Sequence, residues 1–169
     1  MLCCAAVAAG EQPEFRIHGW SEAVQSVTDL ETHRAFFTEV AGWEVRAEGP
    51  VTRATLDAWG LDAAVTGRQL LLGNPGTERG FVRLVRFEGA PQSLIRSNAR
   101  AWETGGILDI NVRVADMGQK QRQMQQRGWQ GHSDPVQFTF GPFVVREWVT
   151  VGPDGLSLAL IQRLEPELE

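Results

Sequence analysis

Few side chains in this 169-residue sequence could carry catalysis, and their types narrow the chemistry. Tyrosine is absent, the two cysteines are the adjacent Cys3 and Cys4, and Lys120 is the only lysine among 16 basic residues. The body of the chain therefore offers no thiol nucleophile, thiolate metal site or disulfide. The histidines are His18, His33 and His132. His18 precedes the first strand pattern, His33 lies in a helical stretch and His132 in a Gly/Ser/Asp loop, so all three read as surface residues. Iron oxygenases need two imidazoles and a carboxylate on converging strands, and zinc or nickel sites usually need nitrogen donors. A carboxylate is the general base that remains. Glu22 or Glu147 could take a proton beside a carbonyl while Arg83 or Arg113 stabilised an enolate or a substrate carboxylate. Any cation in a pocket would be a planar guanidinium, suited to carboxylates. Glu22 and Asp109, with Glu147, could instead hold magnesium or manganese through oxygen alone, the minor alternative.

The elements that position these residues come in two copies. Val27-Thr28-Asp29-Leu30 leads into a helical stretch ending at Ala41-Gly42-Trp43, and Val114-Ala115-Asp116-Met117 leads into one ending at Arg127-Gly128-Trp129. The aspartates are 87 residues apart and the tryptophans 86. A duplicated local pattern at near-constant offset signals a repeated unit. Each copy starts with a strand, Glu22–Val27 or Asp109–Val114, the second alternating strictly between apolar and polar residues. An Asp then caps a helix, about Leu30–Val40 or Gly118–Gln126, and a glycine ends it. The second helix is nearly all polar, which predicts exposure or a covering partner. Strands follow at Trp43–Ala47, Gln69–Leu72 and Phe81–Phe87, and around Gln137–Phe140, Val144–Val151 and Leu156–Gln162. A helical piece, Arg53–Gly60, interrupts the first copy. Pro153-Asp154-Gly155 reads as the turn of the last hairpin. The organisation expected is a tail over 1–16, a first module over 17–89, a linker over 90–105 and a second module over 106–165.

Alternation puts Phe81, Arg83, Val85 and Phe87 on one strand face, Glu22, Val24 and Ser26 on another, and Asp109, Asn111 and Arg113 on a third, with Ser157 and Ala159 opposite. The plainest reason for such charges is an ion-pair network, such as Arg83 with Glu22 or Asp109. Trp43 and Trp129 hold equivalent places and are expected in the core, with Trp148 structural too. Trp59 and Trp102 could rim a pocket and stack on an aromatic ligand, with plain packing or a dimer contact as the alternative.

Composition excludes other classes. The chain is 43% hydrophobic and 22% charged, with net charge −5, so it suits one globular unit and lacks the basic excess of a nucleic-acid binder. No stretch reaches the ~20 apolar residues of a membrane span. Residues 1–9 lack the basic start and long apolar run of an export signal, although a clipped signal stays open. The expected location is cytoplasmic.

A strand, Val-x-Asp-Leu, a helix, a Gly plus aromatic residue and a closing Pro-Asp-Gly hairpin resemble the vicinal oxygen chelate superfamily, which includes glyoxalases, bleomycin-resistance proteins and extradiol dioxygenases. Residues 106–116 and 152–160 carry the resemblance most clearly, and it covers about residues 17–165. It implies an α+β, glyoxalase-like fold in which two paired βαβββ modules form an open eight-stranded cup. It also implies four metal ligands, histidine on each first strand and glutamate on each last. Those positions fall on Glu22, Asp109, Val85 and Ala159, so the usual metal site is absent or rebuilt and no cofactor is expected. The first expectation for function is a metal-free lyase or isomerase acting on an oxygenated acid, aromatic ones included. Glu22, Glu147 and Asp109 would be its catalytic candidates. Arg83, Arg113, Asn111, Ser26, Phe81, Phe87, Trp59 and Trp102 would bind the substrate. The alternatives are a non-catalytic binding protein of the bleomycin-resistance type and a metal-dependent dioxygenase or glyoxalase with new ligands. A homodimer and a small-molecule ligand are the partners the resemblance implies.

Overall fold

Both repeated aspartates act as helix caps. In a computed structural model that describes residues 19–95 and 106–166, Asp29 accepts from the Glu31 N–H and Asp116 from the Gln119 N–H. The helix ends match as well. Gly42 and Gly128 hold φ of 71° and 83°, left-handed values that a side chain would strain. The duplication is thus written in the backbone, not only in the letters.

The first module runs β1 (Glu22–Ser26), α1 (Leu30–Ala35), β2 (Glu44–Pro50), α2 (Arg53–Ala58), β3 (Thr66–Gly73) and β4 (Phe81–Glu88). Its sheet has the order β1-β4-β3-β2, with β1 parallel to β4 and the other pairs antiparallel. The second module runs β5 (Ile110–Arg113), α3 (Met117–Gln125), β6 (Gln130–Gly131), β7 (Val136–Phe140), β8 (Phe143–Val151) and β9 (Ser157–Glu165). Its order is β5-β9-β8-β6, with β7 also paired to β8 and β5 parallel to β9. The same βαβββ path is drawn twice. The one departure from the expected eight strands is that the second strand of the second module is split into β6 and β7. Pro135, which has no N–H for a ladder, lies in the break. Gly131 is required there, because a Cβ would sit 2.0 Å from Nε1 of Trp148, whose N–H donates to the Ser133 carbonyl at 3.0 Å.

The helices cover one face of each sheet. Val82 and Leu84 of β4, Leu70 and Leu72 of β3, and Leu158 and Leu160 of β9 point into one core with Phe36, Phe37, Met117, Met124, Trp43, Trp129 and Trp148. All three tryptophans expected in the core are there. The polar second helix is not simply exposed: Met117 and Met124 are buried and anchor it. The first helix differs from the expected Leu30–Val40 in a second way. It is α-helical only to Ala35, and Phe36–Val40 widens into a π-turn.

The modules are joined through this core and by polar ties. The Phe36 and Trp129 rings are 4.4 Å apart, and Arg127 pairs with Glu39 at 2.7 Å. Asp154, in the turn between β8 and β9, accepts from the Thr28 N–H at 2.8 Å, the Thr28 hydroxyl at 2.7 Å and His33 Nε2 at 2.9 Å. His33 is therefore no surface residue: it is 1% exposed, and its partner comes from the other module. Burial alone would raise the Asp154 pKa, but the Thr28 hydrogen bonds and His33 outweigh it and hold the carboxyl below its usual value.

Candidate ligand-binding face

The sheet faces turned away from the helices differ between the modules. In the first, Phe81, Arg83, Val85 and Phe87 share that face of β4, as alternation requires, and Glu22 and Gln69 join them from the flanking strands. Arg83 donates Nε to Glu22 Oε1 at 2.9 Å and an Nη to Oε2 at 2.7 Å, and its other Nη donates to Gln69. The charges are satisfied within the protein, and both oxygens of Glu22 are engaged. The inserted segment then roofs the face. Val51 and Leu56 bury Val85 completely, and Trp59 meets Phe87 edge-on at 6.1 Å. Arg53 fastens this roof by donating to the carbonyls of Leu61, Ala63 and Val65.

No segment among the described residues roofs the second module in this way. Its register sets Arg113 beside Ile161 and Ile161 beside Glu147 in one row across β5, β9 and β8. The next row pairs Arg163 with Val145, and β7 adds Val136 and Phe138 opposite Glu147 and Val145. Arg113, Phe143, Val145, Ile161 and Arg163 line a cavity of about 120 Å³. The guanidinium of Arg163 lies over the Phe143 ring, 5.5 Å from its centre, a cation–π contact. Arg113 is exposed, and its side chain makes no ion pair or hydrogen bond among the described residues. Phe138 and Phe140 are 40% and 73% exposed on the same sheet. The face therefore has an apolar floor, a cation with no partner among the described residues, and a carboxylate two strand spacings, roughly 10 Å, from it.

The residues singled out in the sequence divide accordingly. Glu22, Arg83, Phe81, Phe87 and Trp59 gather on the closed face, while Arg113 and Glu147 stand on the open one. Asp109 precedes β5 and accepts from Asn111 at 3.1 Å, and neither lines the cavity. Ser26 is exposed at the end of β1. His18 and Trp102, with the tail over 1–16 and most of the linker, lie outside the described residues. Sequence reasoning passed over Phe143, Val145, Ile161 and Arg163. Extending the alternation from Ser157 and Ala159 two and four residues along β9 would have found Ile161 and Arg163.

The positions implied as metal ligands do not fit a metal. Val85 and Ala159 are buried apolar residues, and Glu22 is committed to Arg83. Among the described residues, no three His, Cys, Asp or Glu side chains gather closely enough to hold an ion. Among them, too, no helix is long and apolar enough to cross a membrane.

No protein-family model and no curated protein matches the sequence. Solved structures do. A glyoxalase family protein from Bacillus cereus superposes with a TM-score of 0.72 at 18% identity, over 93% of this chain and 99% of that one. Glyoxalase I from Zea mays gives 0.59 at 20% identity, over 85% of this chain but only 45% of the maize chain. TnmS3, an antibiotic-binding protein from Streptomyces sp. CB03234, gives 0.54 at 19% identity, over 89% of this chain and 99% of that one. With two βαβββ sheets paired through one core, this chain has the fold of the glyoxalase, bleomycin-resistance and dioxygenase superfamily.

Proposed function

We propose that this protein is a small-molecule binding protein that holds a flat, apolar acid on the open face of its second module without transforming it. The observation that carries this reading is Arg113, a guanidinium with no partner among the described residues, standing at the edge of an apolar floor. An exposed apolar and aromatic face is costly to leave bare and marks a binding surface. One planar cation beside it suits one carboxylate. The antibiotic-binding TnmS3 supports the same use of this fold. The metal-free lyase or isomerase is the second reading, and Glu147 keeps it open. With Glu22 clamped by Arg83, Glu147 is the remaining carboxylate on the row of Arg113.

The test is calorimetric titration with a series of one- and two-ring aromatic carboxylates and their neutral amides, in wild type and Arg113→Met. A charge-assisted bond contributes about 1.5–3 kcal/mol. The acids should therefore bind roughly 10- to 100-fold more tightly than the amides, and Arg113→Met should erase that margin. Acids and amides that bind equally would refute the reading. NMR of the bound acid over hours separates the two readings. An unchanged ligand fits sequestration, whereas product whose formation stops in Glu147→Gln would establish the lyase or isomerase.

A further inference from the structure

A second cavity lies at the seam between the modules, on the helix side of the sheets, and shares only Arg113 with the cavity of the open face. Its volume is about 200 Å³. Phe36, Val40 and Ala41 of the first module wall it on one side, and Val112, Met124 and Leu160 of the second on the other. Phe36, Val40, Met124 and Leu160 are almost fully buried, so the floor is apolar. Lys120 also lines it, but its ammonium is occupied by the carbonyl of Val40, capping the end of the π-turn. The first wall is that π-turn, Phe36–Val40, and such widened turns recur at functional sites.

The apolar floor offers water few of the two to four polar partners it needs, the charges of Arg113 and Lys120 lying at the edge. Hollows of roughly 150 Å³ lined by aliphatic and aromatic residues stay dry and accept benzene. We propose that this seam is a second binding site, for a compact uncharged molecule the size of one six-membered ring. It goes beyond the acid-binding reading, since its cavity shares only Arg113 with the open face and it needs no charge. A ligand here touches both modules at once and so stabilises their docking.

The sequence contains three methionines, and this gives a direct readout. Met124 lines the seam, whereas Met117 is buried in the core away from it. Protein labelled with 13C at the methionine methyl groups would be titrated with fluorobenzene. The expected result is a saturable ring-current shift of the Met124 methyl with Met117 unmoved. Ala41→Leu, which fills the hollow, should weaken that binding at least tenfold. Should that variant fail to fold, Ala115→Leu at the exposed rim serves the same purpose. No saturable shift up to the solubility of fluorobenzene, or an equal shift in the filled variant, would overturn the proposal. Because the probe carries no charge, and Met124, Ala41 and Ala115 line the seam but not the open-face cavity, its outcome is distinguishable from acid binding at Arg113.

Discussion

Replacing Asp154 tests whether the polar tie between the modules is structural. Three donors from the first module converge on its carboxylate: the Thr28 N–H, the Thr28 hydroxyl and His33 Nε2. Thr28 is exposed, so water can replace Asp154 there and each bond is worth about 0.5–1 kcal/mol. His33 is 1% exposed, and its Nε2–H would be left without an acceptor, costing about 1–3 kcal/mol. Asp154 also has φ of 57°, a conformation that aspartate and asparagine tolerate but that costs alanine about 1–2 kcal/mol. Asp154→Ala should therefore lose about 3–7 kcal/mol. Asp154→Asn keeps the backbone preference and one acceptor oxygen, so it should lose about 1–2 kcal/mol. With a urea slope of about 2 kcal/mol/M, the midpoints fall by about 1.5–3.5 M and about 0.5–1 M. The pH dependence has a definite sign. The folded carboxyl titrates below its unfolded value, so its contribution is complete above about pH 4 and is lost as the pH falls through the folded value. The difference between wild type and Asp154→Asn should narrow as the pH drops from 5 to 3. A gap that stays constant to pH 3, or an alanine variant costing less than 1 kcal/mol, would show that the tie is ornamental.

Two other perturbations address the contrast between the faces. Leu56→Ala in the roofing helix removes a side chain 3% exposed over Val85, and should cost about 2–4 kcal/mol while raising the fluorescence of an apolar dye, read in one denaturation series. Millimolar magnesium or manganese should leave the thermal midpoint unmoved, because Glu22 is held by Arg83. A saturable rise, lost in Asp109→Asn, would restore an oxygen-ligand site.

Much of this fold is legible in the sequence because its signals are local. Asp29 and Asp116 cap helices through N–H groups two or three residues away, and Gly42 and Gly128 end those helices by their own φ preference. Strand alternation places Arg83 and Arg113 on the correct faces for the same reason. What escapes the sequence depends on distant partners. His33 looks like an exposed helix residue until Asp154 arrives from 121 positions away. The roof over Val85 cannot be read from Arg53–Ala58 itself, because nothing local says which side of the sheet it will cover. Hence the sequence does not distinguish the two halves of the cup, whereas the inserted segment covers Val85 in the first.

The cause of that inequality is loop length at one topological position. In the first module the connection between the second and third strands spans 51–65, long enough to lay α2 across the face. In the second, the matching strands β7 and β8 are joined by Gly141 and Pro142 alone. A two-residue turn can bring the chain back along its neighbour but cannot reach over the sheet. So where Val85 and Phe87 find Val51, Leu56 and Leu61, the second sheet's Phe143, Val145 and Ile161 have no covering segment among the described residues. The charges follow the same division. Arg83 lies where solvent is largely excluded, and it must be paired, as it is by Glu22 and Gln69. Arg113 stands on the open side, exposed, where water solvates its charge. A duplicated unit needs only one long insertion to make the two halves of its cup unequal.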